Sequence, residues 1–175
     1  AEALPITVVR PPAVYGPRDR DILDFFRAVQ RHVCPIVGGS SARSLSLVHA
    51  RDLAAGMVDA CRHPDAANET YFLGSEQPYA WSDVKQAATA ALNTWAVSVP
   101  VPGPLLGLVG AASEAWGRLI GTHPPLNRDK AREIRHACTA CSSEKARQDF
   151  GYAPSIALDA GVAATIDWYR AEGWL

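Results

Sequence analysis

The chain has 175 residues, the size of one ordinary domain and long enough to bury a substantial core. Hydrophobic residues make up 48% of it and charged ones 20%, a composition that excludes an intrinsically disordered chain. With 17 Lys+Arg against 18 Asp+Glu, it also excludes a nucleic-acid patch and an acidic tail, so bulk charge selects no partner.

Residues 5–10 (PITVVR) are an apolar, β-branched run that predicts a strand buried on both faces, ended by Pro11, Pro12, Gly16 and Pro17. From Asp21 the spacing of Ile22, Phe25, Phe26 and Val29 is helical, with acids in the first turn and Arg31 and His32 in the last. A short apolar segment, VCPIVGG, follows. In SLSLVH, Leu45, Leu47 and His49 alternate with Ser44, Ser46 and Val48, which predicts one strand with one packed face. Leu53, Ala54, Met57, Val58 and Cys61 share a helix face from about Asp52 to Pro64, and ETYFLG predicts another strand. Ser82 is the expected N-cap of a helix carrying Val84, Ala88, Ala91 and Leu92, and WAVSVPVP is extended.

The stretch at 104–120 predicts a helix that is apolar nearly all round, with Glu114 and Arg118 as an i,i+4 pair. Asn127 and Ser143 are expected N-caps of the next two helices, Gly151 is a C-cap, and Asp159 opens a last helix with Val162, Ile166 and Tyr169 on one side. There are no repeats and no linker, so the expectation is one unit over 1–175. The chain opens without a basic region before an apolar one and has no run of 18 apolar residues, so it reads as soluble and cytoplasmic. The four cysteines are then expected to stay reduced.

Cys138 and Cys141 have the spacing of a redox pair or half a zinc site, but no second CxxC exists, and packing explains them better. No metal is expected. His49, inside an apolar strand, reads as a hydrogen-bonded packing residue rather than a base. Gly103, Gly107 and Gly110 lie inside the apolar helix, so they suit close helix packing and not a phosphate loop. Contact of 104–120 with a membrane surface is the weaker alternative to core packing there.

The segment Arg10, Pro11, Pro12, Ala13, Val14, Tyr15, Gly16, Pro17, with Arg18 and Asp19, resembles the RPxxVYGPxD signature of the extended short-chain dehydrogenase/reductases, the NAD-dependent epimerase/dehydratase family. SLVHARDLAAG with His49, Asp52 and Ala54, then ETYFLG, SSEKARQDFGYAP and the final GVAATIDWYRAEGWL, resemble that family in the same order. The resemblance implies an α/β fold: the C-terminal part of a Rossmann-type enzyme with its mixed α/β substrate-binding portion. It also implies that the dinucleotide-binding half is not in this chain.

The family's GxxGxxG loop and catalytic Tyr-x-x-x-Lys are not found here: Trp81, Leu126 and Cys141 stand four residues before Lys85, Lys130 and Lys145. Without the tyrosine and lysine there is no proton transfer to accompany hydride transfer, so the chain alone is expected to be inactive and to carry no catalytic residue. By resemblance, Pro11, Pro12, Ala13 and Val14 face the nicotinamide end of NAD or NADP, and Tyr15, Gly16, Phe26 and Leu45 face the substrate. Nucleotide-sugar members place an Asn where Ala13 stands and an Arg-Asp pair where Leu45 and Ser46 stand, and a leucine cannot replace a bidentate arginine at a diphosphate. Arg43, two residues away, is a partial substitute.

The implied function is therefore a substrate-binding part of an oxidoreductase acting on an apolar alcohol or ketone, as in the 3β-hydroxysteroid dehydrogenase and dihydroflavonol reductase branch. The alternatives are a nucleotide-sugar epimerase or dehydratase and a non-catalytic binding module. An apolar first strand without its usual neighbours predicts a homodimer or swapped assembly.

Overall fold

The computed structural model describes residues 4–37, 44–101 and 141–175. β1 (Val8–Arg10) is the extended part of the first apolar run, and β2 (Ala13–Tyr15) resumes after the two prolines. Gly16 turns the chain toward α1 (Asp21–Gln30), which buries Leu23, Phe26 and Val29 on one face. β3 (Val33–Val37) leads to β4 (Ser44–Leu45) and β5 (Leu47–His49), and α2 (Ala50–Arg62) follows without a loop. Then come a single 3₁₀ turn (Pro64–Ala66), β6 (Thr70–Phe72), β7 (Tyr79–Ala80), α3 (Trp81–Leu92) and β8 (Val97–Val101). The described chain ends with α4 (Glu144–Phe150) and α5 (Leu158–Ala171).

Three ladders are parallel, β1 with β6, β2 with β5 and β3 with β8; β4 and β7 pair antiparallel. Parallel pairing requires crossovers, and helices lie on each of them, α1 between β2 and β5, α1 and α2 between β1 and β6, and α2 and α3 between β3 and β8, so the mixed α/β class expected from the motif order is what forms. Around Cys34, Leu45 and Leu47, the larger core packs side chains of α1, α3 and α5: Phe26, Val84, Ala88, Val162, Ile166 and Tyr169. A second cluster gathers Ala60, Tyr71, Leu73, Ala146 and Tyr152. There, α2 approaches closely because Gly56 has no side chain: a Cβ on it would lie 2.5 Å from Tyr152 Cε2.

Four local expectations are corrected. SLSLVH is not one strand: Ser46 breaks it, its buried Oγ accepts the Cys141 N–H at 3.0 Å, and the two halves pair with different partners. Leu47, Val48 and His49 are all buried, so no face is open. Ser82 is not the N-cap of α3; Ala80 occupies that position and its N–H donates to the Asp83 carboxylate at 2.9 Å. Ser143 stands at the N-cap of α4 but its Oγ accepts from the Gly74 N–H, while Ser142 Oγ takes the Glu144 N–H. β1 is not buried on both faces: Val8 is exposed, as is Ile6 just before it, and its one ladder partner among the described residues is β6.

The expectations at 104–120, Gly103, Gly107, Gly110, Asn127 and Cys138 lie outside the described residues. Among those described, no helix is long and apolar enough to cross a membrane, and no cluster of His, Cys, Asp and Glu could hold a metal.

Candidate functional site

The β2–β5 ladder sets Tyr15 opposite His49. Their rings meet edge to face, 5.3 Å apart at 84°. Both are buried side chains, and both line a cleft of about 240 Å³. Leu47 and Asp52 line the same wall, with Tyr79 and Glu76 on a second side and Pro154–Ala157 on a third. Pockets for whole small molecules run from roughly 300 Å³ upward, so this cleft accommodates part of one.

His49 caps α2: its Nδ1 accepts the Arg51 N–H at 3.2 Å. An accepting Nδ1 places the proton of a neutral imidazole on Nε2, and that Nε2 is buried without a partner among the described residues. Burial lowers the pKa of His49, against the opposing pull of Asp52, so at neutral pH the ring is an uncharged donor. Burial pushes the Tyr15 hydroxyl well above its ordinary range, with the nearby Tyr79, Asp52 and Asp159 adding to the effect. Tyr15 is therefore also a neutral hydroxyl and not a phenolate base. Neither group is poised to remove a proton, and the His49 Nε2–H is buried behind the Gly16 turn, so the ring supports Tyr15 and that donor does not reach into the cleft.

Asp52 stands in the first turn of α2 and is almost fully buried. Its Oδ1 accepts from the Ser155 N–H and Oγ, each at 3.1 Å, and its Oδ2 from the Ile156 N–H at 3.0 Å. Three donors on one carboxylate compensate its burial and fasten the 154–157 wall to α2.

The turn after Tyr15 is held from the C-terminal helix. Tyr169 Oη donates to the carbonyl of Asp19, and the Asp19 N–H closes the turn on the Gly16 carbonyl at 3.2 Å. Gly16 has φ 153°, and a Cβ there would stand 3.2 Å from Ala50 Cβ. Gly161 of α5 lies directly against the Tyr15 hydroxyl, closer than a side chain would permit. Arg20 lies over the Trp174 ring, 5.3 Å from its centroid, and Arg27 donates to the Trp174 carbonyl.

The structure brings some of the expected residues together and separates others. Tyr15 lines the cleft and Gly16 sits beside His49 Nε2. Phe26 does not reach it: at 0% exposure it packs in the core against Tyr169, 6.1 Å between ring centroids. Leu45 is likewise a core side chain, opposite Tyr79 in the β4–β7 ladder. Pro11, Ala13 and Val14 are exposed and Pro12 is half-buried against Gly74, so this stretch presents small side chains and backbone at the surface. The Asp52 contacts were missed because their partners lie 103 and 104 residues away; only the His-x-x-Asp spacing hinted at them. Tyr79, in a two-residue strand, gave no periodic signal.

Residues 1–74 match the NAD dependent epimerase/dehydratase family. A ceramide reductase of Caulobacter vibrioides is 31% identical over 96% of this chain and 52% of its own length. A 2-alkyl-3-oxoalkanoate reductase of Stenotrophomonas maltophilia is 26% identical over 91% of this chain and 50% of its own. Among solved structures, the epimerase Mth375 of Methanothermobacter thermautotrophicus superimposes with a TM-score of 0.68 at 20% identity, over 97% of this chain and 44% of that one. The chain thus spans about half the length of the curated relatives it matches. With the VYGP turn, the His-x-x-Asp start of α2 and the parallel ladders in one arrangement, the chain matches the NAD dependent epimerase/dehydratase family over residues 1–74 and shares the fold of such enzymes along its length.

Proposed function

We propose that this chain is the substrate-binding part of an NAD(P)-dependent reductase acting on an apolar ketone or alcohol, and that by itself it does not catalyse the reaction. The observation that carries the substrate class is Leu45. It occupies the position of the diphosphate-binding arginine of nucleotide-sugar members and is packed in an apolar core, so that position itself offers a diphosphate no charge, and Arg43, the expected partial substitute, lies outside the described residues. The names of two relatives, a ceramide reductase and a 2-alkyl-3-oxoalkanoate reductase, support the same class. A membrane-surface contact through 104–120 accords with such a substrate.

The exposed Pro11, Ala13 and Val14 fit the carboxamide end of a nicotinamide, which needs small neighbours and backbone at close range. When bound, the nicotinamide supplies or accepts the hydride. This chain's own residues do the rest of their part by shape: Tyr15 lines the cleft as a neutral hydroxyl with the His49 ring packed against it, and Asp52 holds the wall that faces them.

The test uses this polypeptide and a longer one that joins it to a dinucleotide-binding half carrying Tyr-x-x-x-Lys. Expected is NAD(P)H oxidation with a long-chain ketone by the longer protein only, and no competition by UDP-sugars. Turnover by the isolated chain, or competitive inhibition by a UDP-sugar, overturns the proposal.

A further inference from the structure

The polar side chains that line the cleft fall into two groups. Most are already engaged with one another. The Asp52 carboxylate takes three donors, one of them Ser155 Oγ. Ser75 Oγ donates to the Gln77 carbonyl at 2.7 Å, and the Glu76 carboxylate lies 3.7 Å from Arg147, which also pairs with Glu144 at 2.7 Å. The Tyr15 and Tyr79 hydroxyls are left over: both rings line the cleft, and neither oxygen has a hydrogen-bond partner among the described residues.

Tyr15 is 3% exposed, so its hydroxyl is a buried donor without an acceptor, a state that costs stability until a ligand supplies one. Gly161 of α5 lies directly against that hydroxyl and fixes where it stands. Tyr79 is near enough for its charge to raise the Tyr15 pKa, and burial, with Asp52 and Asp159 close by, keeps both phenols protonated at neutral pH. Two protonated phenols in one cleft suit a ligand atom with lone pairs to offer. The surrounding charge narrows the choice. Asp52 and Glu76 line the cleft and, among the described residues, no lysine or arginine does, so a carboxylate or phosphate would enter beside like charge and without a counter-ion. Leu47, Val48 and Ile156 add apolar wall.

We propose that the Tyr15 and Tyr79 hydroxyls form a subsite for an uncharged carbonyl oxygen, with an amide as the best acceptor, and that the carboxylates beside them close it to acids and phosphates. Tyr79 is then a specificity-determining residue. Calling the ligand the substrate rests on the reductase reading, which this deepens: the apolar substrate carries a neutral amide or ketone function in the cleft and not a carboxylate. The binding itself does not depend on that reading.

The test is binding to the chain, without nucleotide, of three probes that share an apolar tail and differ at the head: hexanamide, hexanoate and hexylammonium. In NMR spectra of the ring-labelled tyrosines, hexanamide is expected to shift the Tyr15 and Tyr79 signals and to leave that of Tyr71, in the second core cluster, in place. Hexanoate is expected to bind at least about tenfold more weakly. Tyr79→Phe weakens hexanamide about fivefold, the loss of one neutral hydrogen bond, and leaves the urea midpoint unchanged because that hydroxyl has no partner among the described residues. If the variant fails to fold, the ratio of amide to carboxylate affinity in the unaltered chain decides. Hexanamide that shifts neither ring overturns the proposal, as does equal affinity for hexanamide and hexanoate. So does tighter binding of hexylammonium, since the carboxylates and not the phenols then select the ligand. None of these readouts involves NAD(P)H oxidation by the longer protein, so failure of the subsite is told apart from failure of the reductase reading.

Discussion

Asp52 carries more of the cleft than any other single side chain, because three hydrogen bonds from Ser155 and Ile156 end on its carboxylate. Hydrogen bonds to a charged group each contribute up to about 3 kcal/mol, but truncation lets water reach some of the freed donors, so Asp52→Ala is expected to destabilise the chain by about 2–4 kcal/mol. Urea unfolding checks it; a change under about 0.5 kcal/mol would mean that the wall is not fastened there. His49 sets a pH dependence. Its pKa is lowered in the folded chain, so the unfolded chain binds more protons just below the ordinary value of about 6.5. That contribution to stability is full above that value and is lost as pH falls through the window between it and the folded pKa. In His49→Gln this component should vanish from a plot of the unfolding midpoint against pH. Phe26, by contrast, matters through packing alone.

At the level of elements, α5 is tied to the VYGP turn through contacts that small residues allow. Gly161 admits the Tyr15 hydroxyl and Tyr169 anchors the carbonyl of Asp19, so the helix and the turn behave as one piece. Gly161→Ala drives a methyl group into that hydroxyl and is expected to cost about 1–3 kcal/mol. Removing the hydroxyl as well, in Gly161→Ala with Tyr15→Phe, should restore most of the loss, and a double-mutant cycle measures the coupling. Additive losses would show that the two elements do not press on one another. The break of SLSLVH at Ser46 follows the same logic: the residues on either side have β propensity, but two different partner strands and a hydrogen bond from Cys141 divide the run.

For the whole molecule, the decisive feature is apolar surface on β1 and its approach. Ile6 is 64% exposed, and Leu4, Val8 and Phe72 are exposed with it. Exposed apolar strands with open edges associate. The chain is therefore expected to run above its monomer mass in size-exclusion chromatography with light scattering, and Ile6→Lys to return it toward the monomer. A monomer at high concentration without substitution would count against this.

Local patterning was enough to locate most elements: the apolar spacings of α1, α3 and α5 and the β-branched runs of β1 and β6 are short-range consequences of periodicity and of the prolines and glycines that end them. In α2 the helix forms but the expected face of Leu53, Ala54, Met57, Val58 and Cys61 does not pack: Met57, Val58 and Cys61 are exposed, and the helix buries Asp52, Gly56 and Ala60, because the small Gly56 and Ala60 admit the Tyr152 and Tyr71 cluster. The motif order was enough to place the chain in its family, because VYGP, His-x-x-Asp and the GY turn are each contiguous. Contacts between distant residues were not legible in the same way. The Asp52 tether, the meeting of Tyr15 with His49 and Gly161, and the burial of Phe26 and Leu45 away from the cleft depend on which strands pair and in what register. Pairing is settled by the free energy of the whole packed arrangement, not by any window of sequence. That is why Tyr15, His49 and Asp52 stood out as motif residues, while Tyr79, the 154–157 wall, the shape of the cleft and the neutral state of Tyr15 and His49 were decided only by the tertiary structure.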